Sequence, residues 1–471
     1  MGQEIKNTQF TEADFLKFSK HLQYETAELE KRFDEKAFNN GVHVGGFELE
    51  AWLVDPQARP VANNRQFLLN LNKPEVVPEL SLFNFEINAK PLAFSRSALK
   101  EFHESLKQNW QQCKDTAVGR GEDVMSIGIH PMIQAAHLVP RNMSRIQRYQ
   151  AINEQILVMR QRKPMVINIE GRECLRMMEP SMMLEAAATS FQIHFQVAQD
   201  QAVLAHNASQ IISAPLVAVS ANSPYLLGTD LWDESRIPLF EQSVDVGEQP
   251  NKRVTFDTQY ANRSLFEFFQ RNLDSYPVLI PDNYDVDAES FTHLRLHNGT
   301  IWRWNRPLLG FDVDGQLHLR IENRVVPSGP TITDMMANAA FYWGLVKALI
   351  DKPQDMEKRI PFEVAKENFY AAARDSLNCS ITWLDGQVYS CVDLVHQQLL
   401  PLAEQGLALL GIDPDDAAYY LGIIEARSQK KQNGAIWQRN WVKKNGRDMA
   451  SLSQVYLKNQ HSQRPVHEWD V

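Results

Sequence analysis

The sequence predicts an α+β fold in which a curved, mainly antiparallel sheet lines a cleft, helices pack against the sheet, and the C-terminal third is helical. Three observations carry this. Runs alternating apolar and polar residues with period two recur near 42–54, 80–88, 188–197 and 316–326, as strands with one face in a core require. Segments of helical periodicity lie between them. After Pro330 strand signals become few, and 334–350, 361–376, 388–409 and 414–430 all read as helices.

The elements follow in order. Residues 10–38 combine helical periodicity with strong helix formers, an entry helix. A long helix is expected at 96–116, with Leu99, Phe102, Leu106 and Trp110 on one stripe. Residues 124–130 read as a buried strand ending at His130-Pro131, and 144–160 as a helix. Helical segments with a Pro-rich turn occupy 198–243. Asn298-Gly299, flanked by 292–297 and 300–305, is the dipeptide that best suits a type I′ turn, so a tight hairpin is expected there. Asp314-Gly315 precedes the long alternating strand 316–326. Length alone would suggest two or three domains. Short loops throughout, with no internal repeat and no low-complexity tract, instead predict a single domain over 1–471, with a sheet-bearing core at about 40–330 and a helical part at about 331–471.

The chain has 471 residues, 44% hydrophobic and 23% charged, and a net charge of −10. That balance argues against nucleic acid as the main partner while leaving room for a local basic pocket. The start, Met-Gly-Gln-Glu-Ile-Lys, lacks the order of a signal peptide. No uninterrupted apolar run reaches the ~20 residues of a membrane helix. The most apolar stretch, 210–227, is broken by serines, an asparagine and two prolines, and resembles packed core. Cys113, Cys174, Cys379 and Cys391 are far apart and form no paired metal spacing. The expectation is a cytoplasmic chain with reduced thiols, no membrane partner and homo-oligomerisation left open.

Chemistry enters at Gly46-Phe-Glu-Leu-Glu-Ala-Trp-Leu-Val-Asp55. On a strand Glu48 and Glu50 leave the same face, with Cα atoms roughly 7 Å apart. At an effective dielectric of 20 two such charges repel by about 2.4 kcal/mol, against about 0.6 in water. On a wet face the pair means little; in a cleft it needs a cation. Three further strands put similar residues on one face: Asn84, Glu86 and Asn88; Gln192, His194 and Gln196; His318, Arg320, Glu322 and Arg324. A sheet with one solvated face is one reading. The near absence of Lys and Thr on these faces favours a shared concave surface. Several carboxylates with one imidazole suit Mg²⁺ or Mn²⁺ better than zinc. Arg320 and Arg324 bracket Glu322, which suggests a polyanion such as a nucleoside triphosphate. There is no glycine-rich phosphate loop, no H-E-x-x-H and no G-x-S-x-G. His130 and His206 read as structural.

These residues resemble the glutamate–cysteine ligase and carboxylate–amine ligase family, over most of 40–350. The carriers are Gly46-Phe-Glu-Leu-Glu50, Phe85-Glu86-Ile87, Gly128-Ile-His-Pro131, Gln192-Ile-His-Phe-Gln196, Ala221-Asn-Ser-Pro224 with Ser235-Arg236, and Arg320-Ile-Glu-Asn-Arg324. The resemblance implies a glutamine-synthetase-like catalytic fold and ATP-dependent amide formation on glutamate or a similar acid, through an acyl phosphate. The amine would be cysteine or a relative, as in glutathione biosynthesis. It implies two or three Mg²⁺ (or Mn²⁺) ions held by Glu48, Glu50, Glu86, His194 and Glu322, with Arg324 and Arg320 on phosphate.

Substrate contacts come from the residues themselves. Arg236, Arg295, Arg303 and Arg306 are candidates for an amino-acid carboxylate, with ordinary surface salt bridges the reading for most of them, and Gln192 is a further candidate beside the site. Trp302 and Trp304 share a strand face and fit either an amine pocket or the core. The segment from Arg427 to Gln438 reads as a loop over the site or as a solvated basic turn. Two rival functions stay open: a non-catalytic nucleotide- or amino-acid-binding regulator on the same fold, and a phosphotransferase akin to guanidino kinases.

Overall fold

The computed structural model describes residues 5–39, 41–249, 251–352 and 355–471. Its main sheet is built around β1 (Val44–Val54). β2 (Val76–Pro78), β3 (Asn84–Asn88), β4 (Leu92–Ala93) and β5 (Asp123–Met125) follow. A separate hairpin, β6 (Met165–Glu170) and β7 (Cys174–Glu179), precedes β8 (Phe191–Val197). The short pairs are β9 (Tyr225–Leu226) with β10 (Thr229–Asp230), and β11 (Val254–Thr255) with β12 (Trp302–Arg303). β13 (Asn305–Phe311) and β14 (Leu317–Asn323) complete the sheet, and β15 (Ser380–Thr382) with β16 (Val388–Ser390) forms a small hairpin among the last helices.

The order β13-β14-β8-β1-β3-β2, with β4 and β5 also on β1, is antiparallel throughout, and the sheet curls. Its apolar face carries Phe47, Leu49, Phe191, Ile193 and Ile321, all buried. Against it pack the helices Ala98–Val118, Ala202–Ser220 and Ile332–Asp351. Trp343 joins helix to sheet: its ring lies 5.3 Å from Phe102, and its Nε1–H donates to the His194 carbonyl at 3.0 Å. Helix Ala202–Ser220 lies in a stretch long and apolar enough to cross a membrane, yet 89% of that stretch's apolar window is buried within the protein. Its apolarity serves the core. One contiguous apolar cluster runs from Ile5 to Trp469, spanning both sheet-bearing and helical parts.

Several sequence expectations change. Thr292–Asn298 is a helix, not a hairpin arm, and Gly299 ends it at φ −64°, with its N–H donating to Arg295. A type I′ turn would need positive φ there. The alternation misled because polar members of this segment are buried by specific partners: His293 on Glu25, His297 on the Asn272 carbonyl, and Asn298 on the Pro307 carbonyl. The hairpin forms one element later, between β13 and β14, with Gly315 at φ +83° in its turn. The 124–130 strand is only Asp123–Met125, and the chain beyond it is held irregularly by Trp52 and Thr189 on the Ile127 carbonyl. Residues 427–438 are not a lid: Lys430 and Lys431 form an exposed basic turn between the helices Pro414–Gln429 and Gly434–Asn445, while the residues on either side are tied into the core. Arg427 is buried on Asp334 at 2.8 Å, Gln438 donates to Asn222 at 3.0 Å, and Gly434 opens the helix Gly434–Asn445.

Candidate active site

Strand register explains why the polar residues meet. Glu50 lies opposite Glu86, Glu48 opposite Gln192, His194 opposite Glu322, and Glu322 opposite Arg306. Directly opposed positions share a face, so residues spread over 270 positions converge on one concave surface. It walls a cavity of about 190 Å³. A single water needs only about 10–15 Å³ on this kind of measure, so the space accommodates several ions or a phosphate chain. Helix Gln147–Met159, helix Arg236–Ser243, helix Thr292–Asn298 (through Arg295, Leu296 and Asn298) and the 3₁₀ stretch Met182–Ala187 contribute further parts of the wall.

The carboxylates fall into two trios. In the first, His194 Nε2 lies 3.6 Å from Glu48 Oε1 and 3.8 Å from Glu322 Oε1. Those distances are too long for hydrogen bonds, and among the described residues this buried nitrogen has no hydrogen-bond partner. Burial pushes the imidazole pKa down to about 4 against the opposing pull of the Glu48 carboxylate, so the ring is neutral at physiological pH. A neutral, buried, unpartnered imidazole nitrogen between two carboxylates fits a hard divalent cation, whose ligands surround it without touching one another. The second trio is Glu50, Glu79 and Glu86, with ligand atoms within 4.8 Å of one another. At that separation two carboxylates repel by about 3.5 kcal/mol at an effective dielectric of 20. The strain shows as proton affinity. Burial, then Glu79, lifts Glu50 to about 7, and burial, then Glu48 and Glu79, raises Glu86 well above the carboxylate range. A divalent cation would relieve both.

The remaining side chains orient these ligands. Glu50 accepts from Ser190 N–H at 2.6 Å and from Gln192 Nε2 at 2.8 Å, so Gln192 holds this carboxylate in place while its own oxygen receives Arg324 at 2.5 Å. Arg306 grips Glu322 with two parallel bonds, and Arg324 adds a third at 3.0 Å. Burial opposes ionisation of Glu322, but these guanidinium groups outweigh it and hold its pKa well below 4.5. Arg320 faces the same cavity and contacts His318 Nε2 at 3.2 Å. Gly310, opposite His318, leaves the space that this pair occupies.

Two substrate candidates lie outside the cavity wall. Arg236 is buried beneath it, pairing with Glu234 at 3.0 Å and donating to the carbonyls of Arg324 and Val325, so it fixes the end of β14. Arg303 points to the opposite side of β12 from Trp302, ion-paired with Asp257 at 2.9 Å and bonded to Asn272. Trp302 does line the cavity, whereas Trp304 is buried on Phe240 and donates to Glu241. Sequence reasoning missed Glu79, Glu185, Arg148 and Tyr149, which all line the cavity. Glu79 lies between β2 and β3, where no alternation marks it, and accepts from Tyr149 at 2.6 Å. The others sit on short helical elements that face a sheet they do not belong to.

A curled antiparallel sheet that brings five carboxylates, one imidazole and a row of arginines to one concave face makes a site suited to cations and a polyanion. The signature of glutamate-cysteine ligase family 2 matches residues 44–438, and the chain belongs to that family. Among solved structures it is similar to the glutamate–cysteine ligase of Francisella tularensis in complex with AMP: 12% identity, TM-score 0.54, covering 92% of this chain and 91% of that one. It is also similar to a bifunctional glutathione synthetase from Pasteurella multocida at 12% identity and TM-score 0.50, covering 93% of this chain and 55% of the other. At such identities the likeness concerns the fold. None of the curated proteins compared matches in sequence.

Proposed function

We propose that the protein is an ATP- and Mg²⁺-dependent γ-glutamyl ligase, joining the side-chain carboxyl of glutamate or a similar acid to an amine through an acyl phosphate, as a small-molecule enzyme of the cytoplasm. The observation that carries this is the unpartnered His194 Nε2 between Glu48 and Glu322, beside a second trio of mutually repelling carboxylates. Membership of a ligase family and a fold shared with an AMP-bound ligase support nucleotide use.

Glu48, His194 and Glu322 would hold one ion, and Glu50, Glu79 and Glu86 another. Bound Mg²⁺ supplies charge neutralisation between phosphate oxygens and the acid substrate. This chain's own residues do the rest. Arg324 is fixed by Gln192 and Glu322, so it is already oriented when charge builds on a transferred phosphoryl group. Arg320 lines the same wall. The acid's oxygen attacks the terminal phosphorus and ADP leaves; the amine, as its free base, then displaces phosphate from the acyl carbon, and the proton its nitrogen gives up leaves with the phosphate. No protein nucleophile is needed.

The test is phosphate release with glutamate, related acids and a panel of amines, with mass detection of products. The proposal requires release that depends on both an acid and an amine, with a product heavier by the condensed amine. Release that needs only the phosphoryl acceptor would mark a phosphotransferase, and binding of nucleotide without turnover a regulator.

A further inference from the structure

We propose that Glu185 anchors the incoming amine: its carboxylate receives the ammonium group and takes one of its protons, freeing the nitrogen lone pair for attack, while Met182, Phe240 and Trp302 take the carbon body, so that the preferred acceptor is a primary amine on an apolar skeleton. This rests on the ligase reading above and concerns the half of the reaction which that reading leaves unspecified.

The argument starts from what each cavity carboxylate already does. Glu322 is held by two arginines, Glu50 by Ser190 and Gln192, Glu79 by Tyr149, and Glu86 by Asn88 at 2.8 Å. Glu48 faces His194. These five make up the acids of the two trios, and Glu185 belongs to neither. It lines the same cavity, and among the described residues its carboxylate has no hydrogen-bond or ion-pair partner. A carboxylate facing an enclosed space that already holds five others is costly unless a cation meets it.

The surroundings say which kind of cation. Glu185 sits on Met182–Ala187, pinned where Met182 N–H donates to Asn153 at 3.0 Å. That stretch packs against helix Arg236–Ser243, which presents Phe240 to the cavity. The Phe240 ring lies 6.3 Å from Trp302 and 5.9 Å from the Arg324 guanidinium carbon. Methionine and two aromatic rings offer dispersion contact and π faces but no hard oxygen ligand. The charges that act on Glu185 are the Glu79 and Glu50 carboxylates, already engaged in the second trio, and the Arg324 guanidinium, so a further metal ion would find Glu185 as its one uncommitted donor. An ammonium group finds one carboxylate and adjacent ring faces, and its carbon chain finds apolar surface.

The test is steady-state kinetics of Glu185→Gln with the amine varied at saturating ATP and acid. The expected result is a rise of about tenfold or more in the amine KM, the size of a lost charged hydrogen bond. Acid-dependent formation of acyl phosphate, trapped by borohydride reduction, and Mn²⁺–nucleotide binding should stay at wild-type levels. An unchanged amine KM overturns the assignment. Loss of Mn²⁺–nucleotide binding also overturns it, because Glu185 would then serve a metal. In the wild type, kcat/KM should climb about fourfold per methylene from ethylamine to pentylamine, and a flat series overturns the apolar half. Absence of acyl phosphate with every acid would instead sink the ligase reading itself, which separates the two failures.

Discussion

Arg306 grips Glu322 across the β13–β14 ladder with both ends of its fork, Nε at 2.8 Å from one carboxylate oxygen and Nη2 at 3.1 Å from the other. Of the two sequence readings of Arg306, a substrate-carboxylate contact or a salt bridge, the register places it in a salt bridge, on a carboxylate proposed to hold a metal. Arg306→Lys keeps the charge and removes the fork, so Mn²⁺–nucleotide affinity should fall about 10–100-fold, as when a metal ligand loses its supporting bond. Isothermal titration reads this; affinity within twofold of wild type would contradict it.

Glu79 is the member of the second trio that no sequence pattern revealed. Glu79→Gln removes one carboxylate from the second trio while leaving the Tyr149 hydroxyl an oxygen to bond. Turnover should drop at least about a hundredfold, roughly 3 kcal/mol of lost stabilisation, with an unaltered circular dichroism spectrum. Near-normal turnover would remove Glu79 from the site.

Proton linkage gives a signed prediction. Glu50 has its pKa lifted to about 7 by burial and Glu79, above the ordinary 4.5. Between those values the folded protein binds a proton that the unfolded chain does not. The contribution of Glu50 to stability is therefore full below about pH 4.5 and is lost as pH rises through 7. The shift corresponds to about 3 kcal/mol. In metal-free protein, Glu50→Gln should gain stability relative to wild type on going from pH 5 to pH 8, read by urea denaturation. A wild type that gains on the mutant over that range would reverse the sign and refute it.

The helical part supplies a packing test. Helices Leu400–Leu409 and Ile332–Asp351 approach so closely that a Cβ on Gly406 would collide with the Gly344 carbonyl. Backbone cannot swing aside as a side chain can, so Gly406→Ala should cost about 3 kcal/mol. Gly422, inside helix Pro414–Gln429, has nothing within 4 Å, and Gly422→Ala should gain up to about 1 kcal/mol. Melting temperatures moving together would contradict this reading of the interface.

Strands that carry their function on every second residue were legible. Glu48 and Glu50, Glu86, Gln192 and His194, and Arg320, Glu322 and Arg324 all come together, because period two determines which side chains share a face. Residues brought by loops and short helices were not legible. Glu79 and Glu185 owe their place to how a connection crosses the sheet, a tertiary matter with no local period. Thr292–Asn298 failed for the opposite reason, since its alternation was real but its polar members were buried by partners distant in sequence. Arg303 and Arg236 illustrate that a buried arginine beside a site is as often a brace as a ligand.

The central claim is that two trios hold two cations. The direct measurement is Mn²⁺ stoichiometry by electron paramagnetic resonance titration in the presence of ADP, on wild type, His194→Ala and Glu86→Gln. The account predicts two tightly bound ions per chain in wild type and one in each variant, lost from different trios. Wild type binding no tight Mn²⁺, or both variants keeping the full complement, would contradict it.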